Sequence, residues 1–133
     1  MTPNLPPARA FLLASLATAA NVAVASGFAL VGVLAPQAML PAGVAPGEAS
    51  FVFALYAAAR TLPLAAGVGL AVARRSTPAL LVLGSLAGAI QTADAVVGLV
   101  QHDVGKTAGP LVIAALQFAT LLALRRTRNT PVA

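Results

Sequence analysis

Residues 51–73 read FVFALYAAARTLPLAAGVGLAVA, Arg74-Arg75-Ser76 follow, and residues 77–100 read TPALLVLGSLAGAIQTADAVVGLV. Two apolar runs of this length, divided by two arginines and a serine, decide the fold. At about 1.5 Å rise per residue, each run covers the roughly 30 Å of a bilayer's hydrocarbon as a helix. The break between them has room only for a tight turn, so the two helices are expected to be antiparallel neighbours.

The rest of the chain has the same character. Another apolar run extends from Ala10 to Ala35, entered by Arg9 and left by Pro36, and a shorter one from Gly109-Pro110 to Leu124 is stopped by Arg125, Arg126 and Arg128. Residues 36–50, with three prolines, two glycines and Glu48, read as a loop that dips back toward the membrane around Met39-Leu40. Only 8% of the 133 residues are charged, and mean hydropathy is +0.93. A soluble domain keeps roughly a quarter of its residues charged, so water is excluded as the main solvent. The expectation is an all-α integral membrane four-helix bundle, one domain over residues 1–133, with helices at about 10–35, 51–73, 78–100 and 109–124. Thr77 is the expected N-cap of the third helix and Pro78 its first residue. Arg9 with Ala23-Val24-Ala25 also imitates a cleavable signal peptide, but the apolar run continues ten residues past that site, which favours a retained helix.

Charge sets the orientation. Four alternating helices bring Arg9, Arg74, Arg75, Arg125, Arg126 and Arg128 to one side, opposite Glu48, His102, Asp103 and Lys106. The positive-inside rule makes the arginine side cytoplasmic, an N-in/C-in protein of the cell membrane, as in a bacterial inner membrane. The same clusters meet anionic membrane lipid. A net charge of +5 carried in flanking clusters with few aromatic residues argues against nucleic acid. No cysteine, one histidine and three carboxylates leave no disulfide and no expected metal site, and no cofactor motif is present. Gly105-Lys106-Thr107 imitates a phosphate loop, but Val100 stands where the earlier glycine belongs.

Arg60 and Asp94 need explanation, since an ionised group at mid-membrane costs about 2.5–3.5 kcal/mol on insertion scales. Arg60 lies about 21 Å and Asp94 about 25 Å from the arginine turn, measured along their helices. Matched depth on one hairpin predicts a buried ion pair. Gly84, Gly88, Gln91, Asp94 or Ala95, and Gly98 recur at helical spacing on the third helix, and Tyr56, Arg60, Pro63 and Gly67 on the second. Thr18, Asn21 and Ala25 on the first helix and Gln117 and Thr120 on the fourth complete a polar centre. Such a pair can simply hold helix register, or it can line a pocket. In the second case Asp94 is the candidate acid or base and Arg60 its tuning partner. Tyr56, Gln91, Asn21 and Gln117 would then bind a polar head, and His102 would stand at the mouth.

The apolar helix ended by Pro36, the Tyr56-x-x-x-Arg60 segment and a third helix carrying Asp94 and ending near His102 together resemble small DoxX-like four-helix membrane proteins over most of residues 20–105. That resemblance implies a four-helix bundle and no defined activity. Two classes of function follow. One is a protein that binds, or acts by acid–base chemistry on, a small lipophilic molecule. The other is a small transporter, a transport accessory or a structural subunit, including a homo-oligomer.

Overall fold

The computed structural model of the chain describes residues 6–41 and 43–129, and the side chains of Arg128 and Asn129 lie outside the described residues. Four helices account for nearly all of it: α1 (Pro7–Leu34), α2 (Glu48–Ala73), α3 (Thr77–Val100) and α4 (Val104–Asn129). All four are long and apolar enough to cross a membrane. The all-helical, four-span expectation holds.

Helix ends follow local chemistry. Pro7 opens α1 in the first turn, where a missing N–H is harmless, and Pro36 follows its end. Gly47 precedes α2 and donates its amide to Ser50 Oγ at 3.0 Å. Pro36–Ala38 forms one 3-10 turn, after which Met39 packs back toward Gly32 of α1.

The two remaining connections are built alike. At the end of α2, Arg75 adopts φ 48° while Arg75 N donates to Val72 O and Ser76 N to Ala71 O. At the end of α3, His102 adopts φ 52° while His102 N donates to Leu99 O and Asp103 N to Gly98 O. Both are Schellman closures with a non-glycine residue in the left-handed position. In each, the next residue starts the following helix: Ser76 Oγ accepts from Ala79 N at 3.4 Å, and Asp103 Oδ1 accepts from Lys106 N at 3.0 Å. Ser76, not Thr77, is therefore the N-cap of α3.

The fourth helix begins five residues before the expected Gly109. Gly105, Gly109 and Pro110 look like loop residues in sequence, but the Asp103 cap starts the helix and it continues through Pro110. Proline at 110 offers no amide to the Lys106 carbonyl four residues earlier. That carbonyl lies against Gly98, where a Cβ would overlap the Lys106–Thr107 backbone.

α1 and α3 form the centre, with α2 and α4 on opposite sides of them. Near the arginine turn, Ala10, Ala14, Leu80, Leu121 and Leu124 form one buried cluster across α1, α3 and α4. Val22, Val68 and Ala87 form a second across α1, α2 and α3. Gly84 and Gly88 admit α4 closely: a Cβ at Gly88 would come within 2.8 Å of the Phe118 ring. Hydrocarbon gives helices no hydrophobic drive toward one another, so close approach at small residues supplies much of the association.

Gly98→Ala is expected to destabilise the bundle by about 1–3 kcal/mol, because backbone cannot yield as a side chain can. Gly27→Ala, which meets nothing within 4 Å, is the matched control. Unfolding in mixed micelles followed by circular dichroism compares them.

Candidate functional site

The polar residues sort into a buried row and an outer set. In the row, Gln91 Nε2 of α3 donates to Asn21 Oδ1 of α1 at 2.7 Å, and Asn21 Nδ2 donates to Gln117 Oε1 of α4 at 3.3 Å. Gln117 Nε2 then donates to Thr18 Oγ1, and Thr18 donates to the Ala14 carbonyl, each at 2.7 Å. All four side chains are buried, and Gln117 and Thr18 are 0% exposed. The donors point one way along the row, so each bond polarises the next. Gly84 makes room for it: a Cβ there would sit 2.9 Å from Gln117 Nε2 and 3.1 Å from Thr18 Oγ1. Three of the residues expected to hold a ligand, Asn21, Gln91 and Gln117, are thus brought together and hold one another.

Arg60 and Asp94 do not join them. Both are exposed on the outside of the bundle, and no hydrogen bond or ion pair links the two. This corrects the expected buried pair. On α3 the buried stripe runs Leu80, Gly84, Gly88, Gln91, Ala95 and Gly98, so Ala95 and not Asp94 faces inward. On α2 the buried positions are Ala58, Val68 and Ala71, whereas Tyr56 is 58% exposed and Pro63 is exposed. The second helix buries its small residues and turns the Tyr56–Arg60 stripe outward.

Helical spacing says which outer side these charges occupy. Gly67 of α2 faces Leu83 of α3: a Cβ at position 67 would sit 3.5 Å from the Leu83 side chain. Arg60 is seven residues before Gly67 and Asp94 eleven after Leu83, spacings that return each to nearly the same side of its helix. The two charges therefore lie on the flanks by which α2 and α3 meet lower down. Farther from the turn, α2 packs on α1 through Ala54 and Gly32, and both charges are left uncovered.

His102 is exposed, with no side-chain partner among the described residues. It sits beside a small network in which Lys106 Nζ donates to Gln101 Oε1 at 3.0 Å and lies 3.7 Å from Asp103 Oδ2. The Lys106 amide, above all, holds the Asp103 carboxyl below its ordinary range, and the Lys106 charge adds to this.

A feature that sequence reading did not single out lies at the arginine end. A cleft of about 870 Å³ opens among the start of α1, the α2–α3 turn and the end of α4. Phe11, Val72 and Leu124 give it apolar walls, and Arg75, Thr77 and Thr127 give it polar ones. Ser15 lines it too, 6% exposed, with a buried hydroxyl that has no hydrogen-bond partner among the described residues. Ser15 continues the Thr18–Asn21 side of α1 toward the arginines, a spacing legible in sequence. Arg75 reads there only as an orienting charge.

Comparison with protein-family models, with curated proteins and with solved structures finds no match.

Gln117→Leu removes two interhelical bonds from buried partners and is expected to cost about 1–2 kcal/mol. Thr120→Val, whose hydroxyl bonds only within its own helix, is expected to be near neutral in the same unfolding assay. The Asp103 cap carries a pH signature. Because its folded pKa is depressed, its contribution is complete above the ordinary carboxylate value and is lost as pH falls through the folded one. Asp103→Ala should thus lower the melting temperature at pH 7 and converge with the parent chain under strong acid.

Proposed function

We propose that this chain is an integral membrane protein that binds an amphiphile with an anionic head in the cleft at its arginine end. One observation carries this reading: the cleft joins apolar walls to a guanidinium and two hydroxyls, with the unpaired Ser15 hydroxyl buried between them. A buried hydroxyl without a partner costs about 1–3 kcal/mol, a penalty relieved when the Ser15 side chain turns into the cleft and an occupant accepts its proton. Arg75 provides charge-assisted bonds to a phosphate or carboxylate, and Thr77 adds a donor. Phe11, Val72 and Leu124 suit an acyl or other lipophilic chain. By the positive-inside rule this end meets the cytoplasmic leaflet, where anionic lipids are abundant.

The reading keeps the class expected from sequence, a protein for a small lipophilic molecule, and moves the contact from the bundle centre to its rim. A second reading, a subunit that completes its charges in an assembly, draws on Arg60 and Asp94.

Native mass spectrometry from detergent tests the binding. The parent chain is expected to retain phosphatidylglycerol in preference to phosphatidylcholine. Arg75→Gln combined with Ser15→Val should weaken that preference about tenfold, roughly the loss of one charge-assisted bond. Lys106→Gln at the opposite end should leave it intact. Equal retention of both lipids by the parent chain, or an unchanged preference in the double variant, would overturn the reading.

A further inference from the structure

We infer that two copies of this chain associate side by side in the membrane through the α2–α3 flank, with Arg60 of each copy paired to Asp94 of the other. The inference is independent of the arginine-end cleft.

Two opposite charges lie within the spans, on adjoining helices, both exposed and neither partnered among the described residues. Hydrocarbon cannot solvate them, so their common flank calls for a surface bearing an acid and a base at the same depth. A second copy of the flank is such a surface. Two copies in one membrane share their orientation, so the symmetry axis runs along the membrane normal and keeps every residue at its own depth. Arg60 at about 21 Å and Asp94 at about 25 Å from the turn therefore meet across the axis almost level.

Side-chain direction removes the remaining offset. Helical side chains lean toward the N-terminus of their helix. The N-terminus of α2 lies at the end opposite the arginine turn, so Arg60 leans away from the turn. The N-terminus of α3 lies at the turn, so Asp94 leans toward it. The two groups approach along the normal. Rotation by half a turn sets α2 of one copy beside α3 of the other, and the reverse. The four helices at the axis then alternate in direction, and their charges alternate in sign. The ring is neutral, and each guanidinium has a carboxylate in reach.

A charge-reversal mixing experiment tests this. Arg60→Asp makes a chain whose flank carries only acids, and Asp94→Arg makes one carrying only bases. Each should lose self-association in nanodiscs by about tenfold or more, read by single-molecule photobleaching. Differently tagged and co-expressed, the two should pair with each other, and both reversals on one chain should restore self-association. Recovery in the mixture also demonstrates that both chains fold.

Because the chain has no cysteine, a second measurement is clean. Tyr56→Cys on one copy and Val97→Cys on the other place thiols one turn beyond Arg60 and Asp94, and should cross-link between copies under mild oxidation. A parent chain that is monomeric at every density in lipid overturns the inference. So does a single reversal that associates like the parent, or a mixture that neither pairs nor cross-links. Any of these outcomes assigns the charged flank to a different partner.

Discussion

Hydrocarbon accepts and donates no hydrogen bonds, so a polar group inside a membrane protein must be answered by another part of the protein. The row from Gln91 through Asn21 and Gln117 to Thr18 meets this demand for α1, α3 and α4 together. Much of the packing is arranged around it. Gly84 clears space for the Gln117 amide, Gly88 admits Phe118, and leucines close the core below. A bond of this kind in a membrane is worth about 0.6 kcal/mol on average, so its energy alone does not explain the fold. Its geometry does more. A one-residue slip of any of the three helices leaves amides facing hydrocarbon, and this makes the register unique.

The second helix stands apart from that network, and it carries the charge that the bundle leaves unanswered. It meets its neighbours through small residues such as Ala58 and Ala71 and exposes most of its surface. A helix held this lightly is a natural surface for further contact. The arginine end is the other such place, where charge, hydroxyls and an apolar wall converge. The molecule thus has a closed polar centre and open polar margins, among them the Arg60–Asp94 flank in the half away from the arginine turn and the cleft at the arginine end.

Much of this is legible in the amino-acid order. The number of helices follows from the length of the apolar runs, and the shared end of Arg9, Arg74 and Arg125 follows from alternation. Asn21, Gln91 and Gln117 fall on small-and-polar stripes, which is enough to place them inward. Arg60 and Asp94 expose the limit of such reading. Counting residues gives depth along a helix but not the side it presents, and a step from Asp94 to Ala95 separates an outward-facing charge from a buried methyl. On α2 the longer polar pattern was the more conspicuous one, yet alanines form the contact because they permit close approach. The start of α4 was hidden for a different reason. Gly105, Gly109 and Pro110 have loop character one by one, and only the Asp103 cap together with the Gly98 contact makes them helical.

Ser76 and Asp103 each end one helix cap and begin the next, so α2, α3 and α4 are joined without a spare residue. The path from α1 to α2 is different: thirteen residues, 35–47, connect their ends, with prolines at 36, 41 and 46. Nearly all the slack between the four helices is gathered there. Lengthening such a loop costs little, about 0.6 kcal/mol for each doubling, whereas an added residue at Ser76 or Asp103 breaks a cap and rotates every side chain after it. Among the three connections, an epitope, a protease site or a split between separately made halves therefore belongs between Pro41 and Gly47.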